Sequence, residues 1–88
     1  MAKRKNVLFI LSDQQRYDTV SAYGLNSVCR TPNIDALAAN GMKFTNAFTP
    51  SPICAPARAS LMTGLYPHRH GVVDNYTDIH EGIPLLGD

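Results

Sequence analysis

An α/β fold built on a mostly parallel sheet is what this 88-residue chain predicts, and three observations carry it. Val7-Leu8-Phe9-Ile10-Leu11 is a continuous apolar run, the pattern of a strand covered on both faces in a parallel sheet. Two later segments, 31–41 and 54–64, have helix start and stop signals. The polar cluster Ser12-Asp13-Gln14-Gln15 follows the apolar run at once, at the strand end where sites form in open α/β sheets.

The elements follow in order. NVLFIL is the expected strand, and a buried strand of this kind needs parallel neighbours and covering helices, which 88 residues barely supply. Residues 1–88 therefore read as the N-terminal part of a much longer protein. In TPNIDALAANG, Thr31 can cap, Pro32 suits the first turn, Asp35 favours the positive end and Gly41 stops the helix. Ile34, Leu37 and Ala38 form its apolar stripe. MKFTNAF alternates and predicts a short strand. TPSPIC is a proline-punctuated loop. A second helix is expected from the turn holding Pro56, with Cys54 just before it and Gly64 at its end. LYPHRHGVVDNYTD returns to loop or short strand, with His68 and His70 expected as exposed loop histidines rather than a metal site.

Bulk composition narrows the function. Hydrophobic residues make up 44% and charged residues 17%, ordinary for a soluble globular domain. A net charge of +1 excludes a general affinity for nucleic acid or an anionic membrane. The one basic cluster, Lys3-Arg4-Lys5, reads as a solvated tail. The apolar run after it is shorter than the roughly 7 to 15 residues of a signal h-region, and nothing approaches a membrane span, so a cytoplasmic protein is expected. Cys29 and Cys54 are too few for a secreted disulfide scaffold, and Cys29 reads as structural.

PICAPARASLMTG, residues 52–64, carries the chemistry. The first N–H groups of a helix lack intrahelical partners and bear partial positive charge, which suits an anion. Arg58, one turn beyond Cys54, adds a planar cation matched to tetrahedral oxyanions. The turn is thus a plausible oxyanion-binding site on residue types alone. A cysteine packed as a small hydrophobe and a solvated arginine are the plain alternatives.

The full pattern, Cys54-Ala55-Pro56-Ala57-Arg58 with Leu61-Met62-Thr63-Gly64, resembles the signature of the type I sulfatases. NVLFILSDQQ resembles that family's first strand and metal-ligand turn, and TPNIDALAANGMKFTNAF its next block, so the resemblance spans most of residues 6–75. It implies the alkaline-phosphatase-like fold, a large mixed, mostly parallel sheet between helices. It also implies hydrolysis of sulfate esters by a nucleophile made when a maturation enzyme oxidises Cys54 to Cα-formylglycine. The hydrated aldehyde attacks sulfur through one hydroxyl, and the second then expels sulfate. Arg58 would hold the diol and the charge beside it. Asp13 matches the first metal carboxylate, and one divalent cation is implied: Ca²⁺ first, with Mg²⁺ or Mn²⁺ possible. Cys54, once converted, would be a metal ligand as well.

Gln14 departs from the second aspartate of many sulfatases. With Asn75, it resembles the choline-sulfatase and phosphonate monoester hydrolase branches; the Gln14 amide would donate its carbonyl oxygen to the metal or contact substrate, and Asn75 would contact substrate. The implied partners are a small-molecule sulfate ester and the maturation enzyme, with a homo-oligomer possible. The alternatives are a phosphonate monoester or phosphodiester hydrolase on the same scaffold, and a non-catalytic fragment or binding module. The 88 residues alone are expected to be inactive, because the remaining metal ligands and the general acid are not among them.

Overall fold

The computed structural model describes residues 2–88. Its helices are α1 (Pro32–Asn40), α2 (Cys54–Thr63) and the single turn α3 (Pro67–His70), preceded by two 3₁₀ turns at Tyr17–Thr19 and Ser21–Tyr23. Among the described residues no helix is long and apolar enough to cross a membrane.

Helix α1 forms where its proline and glycine predict, and Thr31 is its N-cap residue as expected, but the Thr31 hydroxyl makes no hydrogen bond to a first-turn N–H. The Thr31 hydroxyl donates to Asp35 Oδ1 (3.0 Å) and accepts the Ser21 N–H (2.9 Å) instead. Ser21 Oγ in turn donates to Asp35 Oδ2 and accepts the Thr31 N–H (3.0 Å). Three short polar side chains therefore fasten the second 3₁₀ turn to the first turn of α1. The Ser21 hydrogen bond, ahead of that from Thr31, holds the Asp35 carboxyl below its ordinary value.

Neither expected strand forms among the described residues. A strand's N–H and C=O groups need an adjacent strand, and no backbone hydrogen bond of this kind engages 7–11 or 42–48 among the described residues. Val7 and Leu8 stand 89% and 85% exposed, so the apolar run is uncovered. Residues 42–44 are held by side chains in place of a ladder. Tyr23 Oη donates to the Phe44 carbonyl (2.7 Å), and Lys43 Nζ donates to the Ala22 carbonyl (2.9 Å) while lying 5.3 Å from the centre of the Tyr23 ring.

The second helix begins one residue earlier than expected, at Cys54 rather than just after it. Ile53 is its N-cap residue, with the Ala57 N–H donating to its carbonyl (3.1 Å), so Cys54 is the first helical residue and Pro56 the third. Pro56 is tolerated there because the N–H it lacks would have no intrahelical partner. Gly64 ends α2 with φ +71°, a left-handed conformation suited to glycine. The segment after it is helical at α3 rather than strand or loop.

Burial concentrates where α2 meets α3. Pro56 and Ala59, on one face of α2, are buried, as are His70 and Val72 beyond. The burial of His70 corrects the expectation of two exposed histidines; His68 alone is exposed. The Leu86 N–H donates to the Met62 carbonyl (2.7 Å), returning the last residues to the end of α2. The described chain forms a slab of 43 × 42 × 18 Å with a radius of gyration of 16.1 Å, against about 12 Å for a compact domain of this length.

Candidate functional site at the start of helix α2

The helix separates its two jobs by face. Pro56, Ala59 and Ser60 recur at three and four residues and turn toward α3, whereas Cys54 and Arg58, four residues apart, are both exposed. At 1.5 Å per residue, the two lie about 6 Å apart along the axis.

Accounting for the unpaired N–H groups of the first turn locates an electropositive spot. The Ile53 N–H donates to Ser51 Oγ (3.3 Å), the Ala55 N–H donates to Asn75 Oδ1 (2.9 Å), and Pro56 has none. Among the described residues the Cys54 N–H has no protein partner. Residue 54 thus presents an exposed side chain beside a free amide at the positive end of a ten-residue helix.

Two loops bring the other expected residues to this end. Asp13 follows the apolar run, and its Oδ1 lies 3.8 Å from Arg58 Nη2. At 77% and 48% side-chain exposure the pair is an open ion pair, contributing about 0 to 1 kcal/mol at most. The next residue, Gln14, has φ +49° and is the one non-glycine residue with positive φ among the described residues. A side chain held there is uncommon and costs roughly 1 kcal/mol or more. The chain thus reverses just after the carboxylate.

Asn75 arrives from the far side of the sequence, twenty residues beyond its partner Ala55. Asp74 shapes its turn. Asp74 Oδ1 accepts the Thr77 hydroxyl (2.7 Å) and the Tyr76 N–H (2.9 Å), and these, the Thr77 bond foremost, lower the Asp74 carboxyl pKa. Asp74 was not anticipated from the sequence, although a local Asp-x-x-Thr turn is a readable signal.

Asp13, Arg58, Cys54 and Asn75 therefore gather at the start of α2, with Gln14 beside Asp13. His68, His70 and His80 stand apart from this group. The His70 ring nitrogens are engaged by Ser60 Oγ (3.0 Å) and the Val72 N–H (3.0 Å). Among the described residues no three His, Cys, Asp or Glu side chains cluster as a metal cage. Cys29 and Cys54 are both free thiols. A cavity of about 620 Å³ is an open apolar groove along Leu11, Phe48, Ala57, Leu61 and Tyr66. Asp13, Cys54 and Arg58 all stand outside that groove.

Comparison with known proteins identifies the family. The family model described as Sulfatase matches residues 5–88. The chain is 42% identical over 83 residues to an ulvan-active sulfatase of Formosa agariphila, covering 94% of this chain and 16% of that protein. It is 42% identical over 79 residues to the N-sulphoglucosamine sulphohydrolase of Homo sapiens, covering 90% and 15%. It is 46% identical over 88 residues to the multifunctional alkaline phosphatase superfamily protein PehA of Trinickia caryophylli, covering 96% and 17%. No solved structure matches. The chain spans less than a fifth of the length of these relatives. With the family model matching nearly its whole length and the signature cysteine opening an exposed helix end, the chain belongs to the sulfatase family.

Proposed function

We propose that the whole protein hydrolyses sulfate esters, with residue 54 as the nucleophile after conversion of Cys54 to Cα-formylglycine by a maturation enzyme. The observation that carries this is the exposed Cys54 side chain and its unpartnered N–H at the first position of α2, with Arg58 one turn on. Formylglycine, when formed, supplies a geminal diol, one hydroxyl to attack sulfur and a second to release sulfate. The chain's own residues do the rest. The helix terminus and Arg58 attract the sulfate oxyanion and hold it beside residue 54. Asn75 fixes the helix start by occupying the Ala55 N–H.

The residues fit a hard divalent cation in kind. Asp13 and Gln14 offer carboxylate and amide oxygens, the donors that Ca²⁺, Mg²⁺ or Mn²⁺ prefer. Bound there, such an ion would acidify the attacking hydroxyl. These two residues would hold it together with donors from the rest of the protein. The apolar run 7–11 then finds its cover as a strand of the family's large, mostly parallel sheet, in an alkaline-phosphatase-like fold.

Gln14 favours a second reading, hydrolysis of phosphonate monoesters or phosphodiesters. Phosphonate monoesters and phosphodiesters carry the same single negative charge and tetrahedral oxyanion as sulfate monoesters, and Gln14 with Asn75 is the combination that resembles those branches. The test begins with the mass of the peptide carrying residue 54, from protein made with its native maturation system. Conversion of thiol to aldehyde lowers it by about 18 Da; a persistent thiol with a competent maturation enzyme present removes the nucleophile and leaves a non-catalytic protein. Aryl sulfates and phosphonate monoesters assayed side by side then separate the two readings, the faster class identifying the substrate.

A further inference from the structure

His70 is completely buried, and every polar atom of the residue is used. Its N–H donates to the Tyr66 carbonyl (3.1 Å) and its carbonyl accepts the His80 N–H (2.9 Å). Its ring faces α2 at Ser60 on one side and the backbone of Val72 on the other. A backbone N–H can only donate, so Nδ1 of His70 is the acceptor toward Val72. The neutral ring therefore carries its proton on Nε2, which donates to Ser60 Oγ.

The chain from 70 to 75 is consequently pinned to α2 at two places. His70 fastens it at Ser60, and Asn75 fastens it at Ala55. The separation of five positions from Ala55 to Ser60 corresponds to about 7.5 Å of helix, so the strap runs back along α2 toward its start. Gly71 makes this reversal at φ +84°, and a Cβ there would overlap the His80 ring.

We propose that His70 is a positioning residue: through the acceptor Nδ1 it sets the direction of the strap at Val72 and thereby places Asn75 against the first turn of α2. The inference rests on the reading of that turn as the sulfate-ester site. Its two ring nitrogens have separable roles, and two amide side chains imitate them one at a time. His70→Asn retains a group near the Nδ1 position, and His70→Gln one near the Nε2 position.

The test uses the full-length protein and begins without mutation. Nitrogen-15 shifts of the imidazole are expected to show the tautomer with Nε2 protonated and Nδ1 bare; an Nδ1-protonated ring would overturn the proposal. Amide hydrogen exchange at Ala55 is then compared across variants. His70→Gln is expected to accelerate it about tenfold, the loss of roughly one hydrogen bond, and to lower kcat by about 10- to 100-fold through misplacement. His70→Asn is expected to keep both within about threefold. Ser60→Ala, which leaves the Val72 contact in place, is expected to behave as His70→Asn does. Unchanged Ala55 exchange in His70→Gln, or better retention by Gln than by Asn, would refute the positioning role. If the parent protein cleaves no sulfate ester, the functional reading fails, while the tautomer and the Ala55 amide still decide the role of His70.

Discussion

Cys54 shows at residue scale why exposure and motif have to be read together. A buried thiol before a helix is ordinary packing, but this one is exposed and opens α2. Cys54→Ala is therefore expected to abolish turnover by the matured protein while shifting its stability by no more than about 0.5 kcal/mol, the scale of a surface change. Denaturant unfolding beside a turnover assay checks both, and a loss of several kcal/mol would show a packing role. Gln14 is the converse case, where backbone conformation decides. At φ +49° a β-branched residue is disfavoured, so Gln14→Val is expected to cost about 1 to 2 kcal/mol. Gln14→Gly is expected to be nearly neutral, strain relief offsetting the added freedom of the unfolded chain. Equal unfolding midpoints for the two variants would contradict that account. The proximity of Cys54 and Arg58 was legible because C-x-P-x-R sets them one helical turn apart, and Asp13 stood out because it follows the apolar run at once. His70 was not, because its role depends on Ser60, ten residues away and on another element.

At the scale of elements, the polar fastening of α1 has a consequence for acid stability. The Asp35 pKa is lowered in the folded state, first by the Ser21 hydroxyl and also by that of Thr31. A depressed carboxylate contributes stability that is present above its unfolded value, 3.8, and lost as pH falls through the lower folded value. The full-length protein is thus expected to lose part of its stability below about pH 4, and Asp35→Asn to flatten that part of the profile. Denaturant midpoints measured from pH 6 to pH 2 check this; an unaltered slope in the variant would show that Asp35 does not contribute. Both long helices were legible because proline and glycine mark them locally. The exact starts were less so. Thr31 is a good cap by type, yet Ser21 competes for its hydroxyl, and Ile53, an unfavoured cap by type, begins α2 because the Ala57 N–H reaches its carbonyl.

For the whole molecule, the described residues form a layer rather than a closed core. Pro56, Ala59 and Val72 are the buried apolar side chains among them, while Phe9, Ile10 and Phe48 are exposed at 69%, 76% and 91%. Too little apolar surface is covered to offset chain entropy. The isolated 88-residue segment is expected to melt without a cooperative transition and to show no metal-dependent turnover; a sharp calorimetric peak or measurable activity would overturn this. Strand pairing was beyond the reach of sequence reading here for the same reason. A helix closes its hydrogen bonds within itself, but a strand is defined by a partner that can lie anywhere. The bond from the Ala55 N–H to Asn75 also sets a clock. Its acceptor lies twenty residues later in the chain, which at 5 to 20 residues per second is synthesised about 1 to 4 s after its donor. On the proposed function, a maturation enzyme that reads residues 54–58 as an open chain has that interval before the strap can close. Slower elongation between residues 55 and 75 would lengthen the interval and raise the fraction of chains that leave the ribosome with the converted residue.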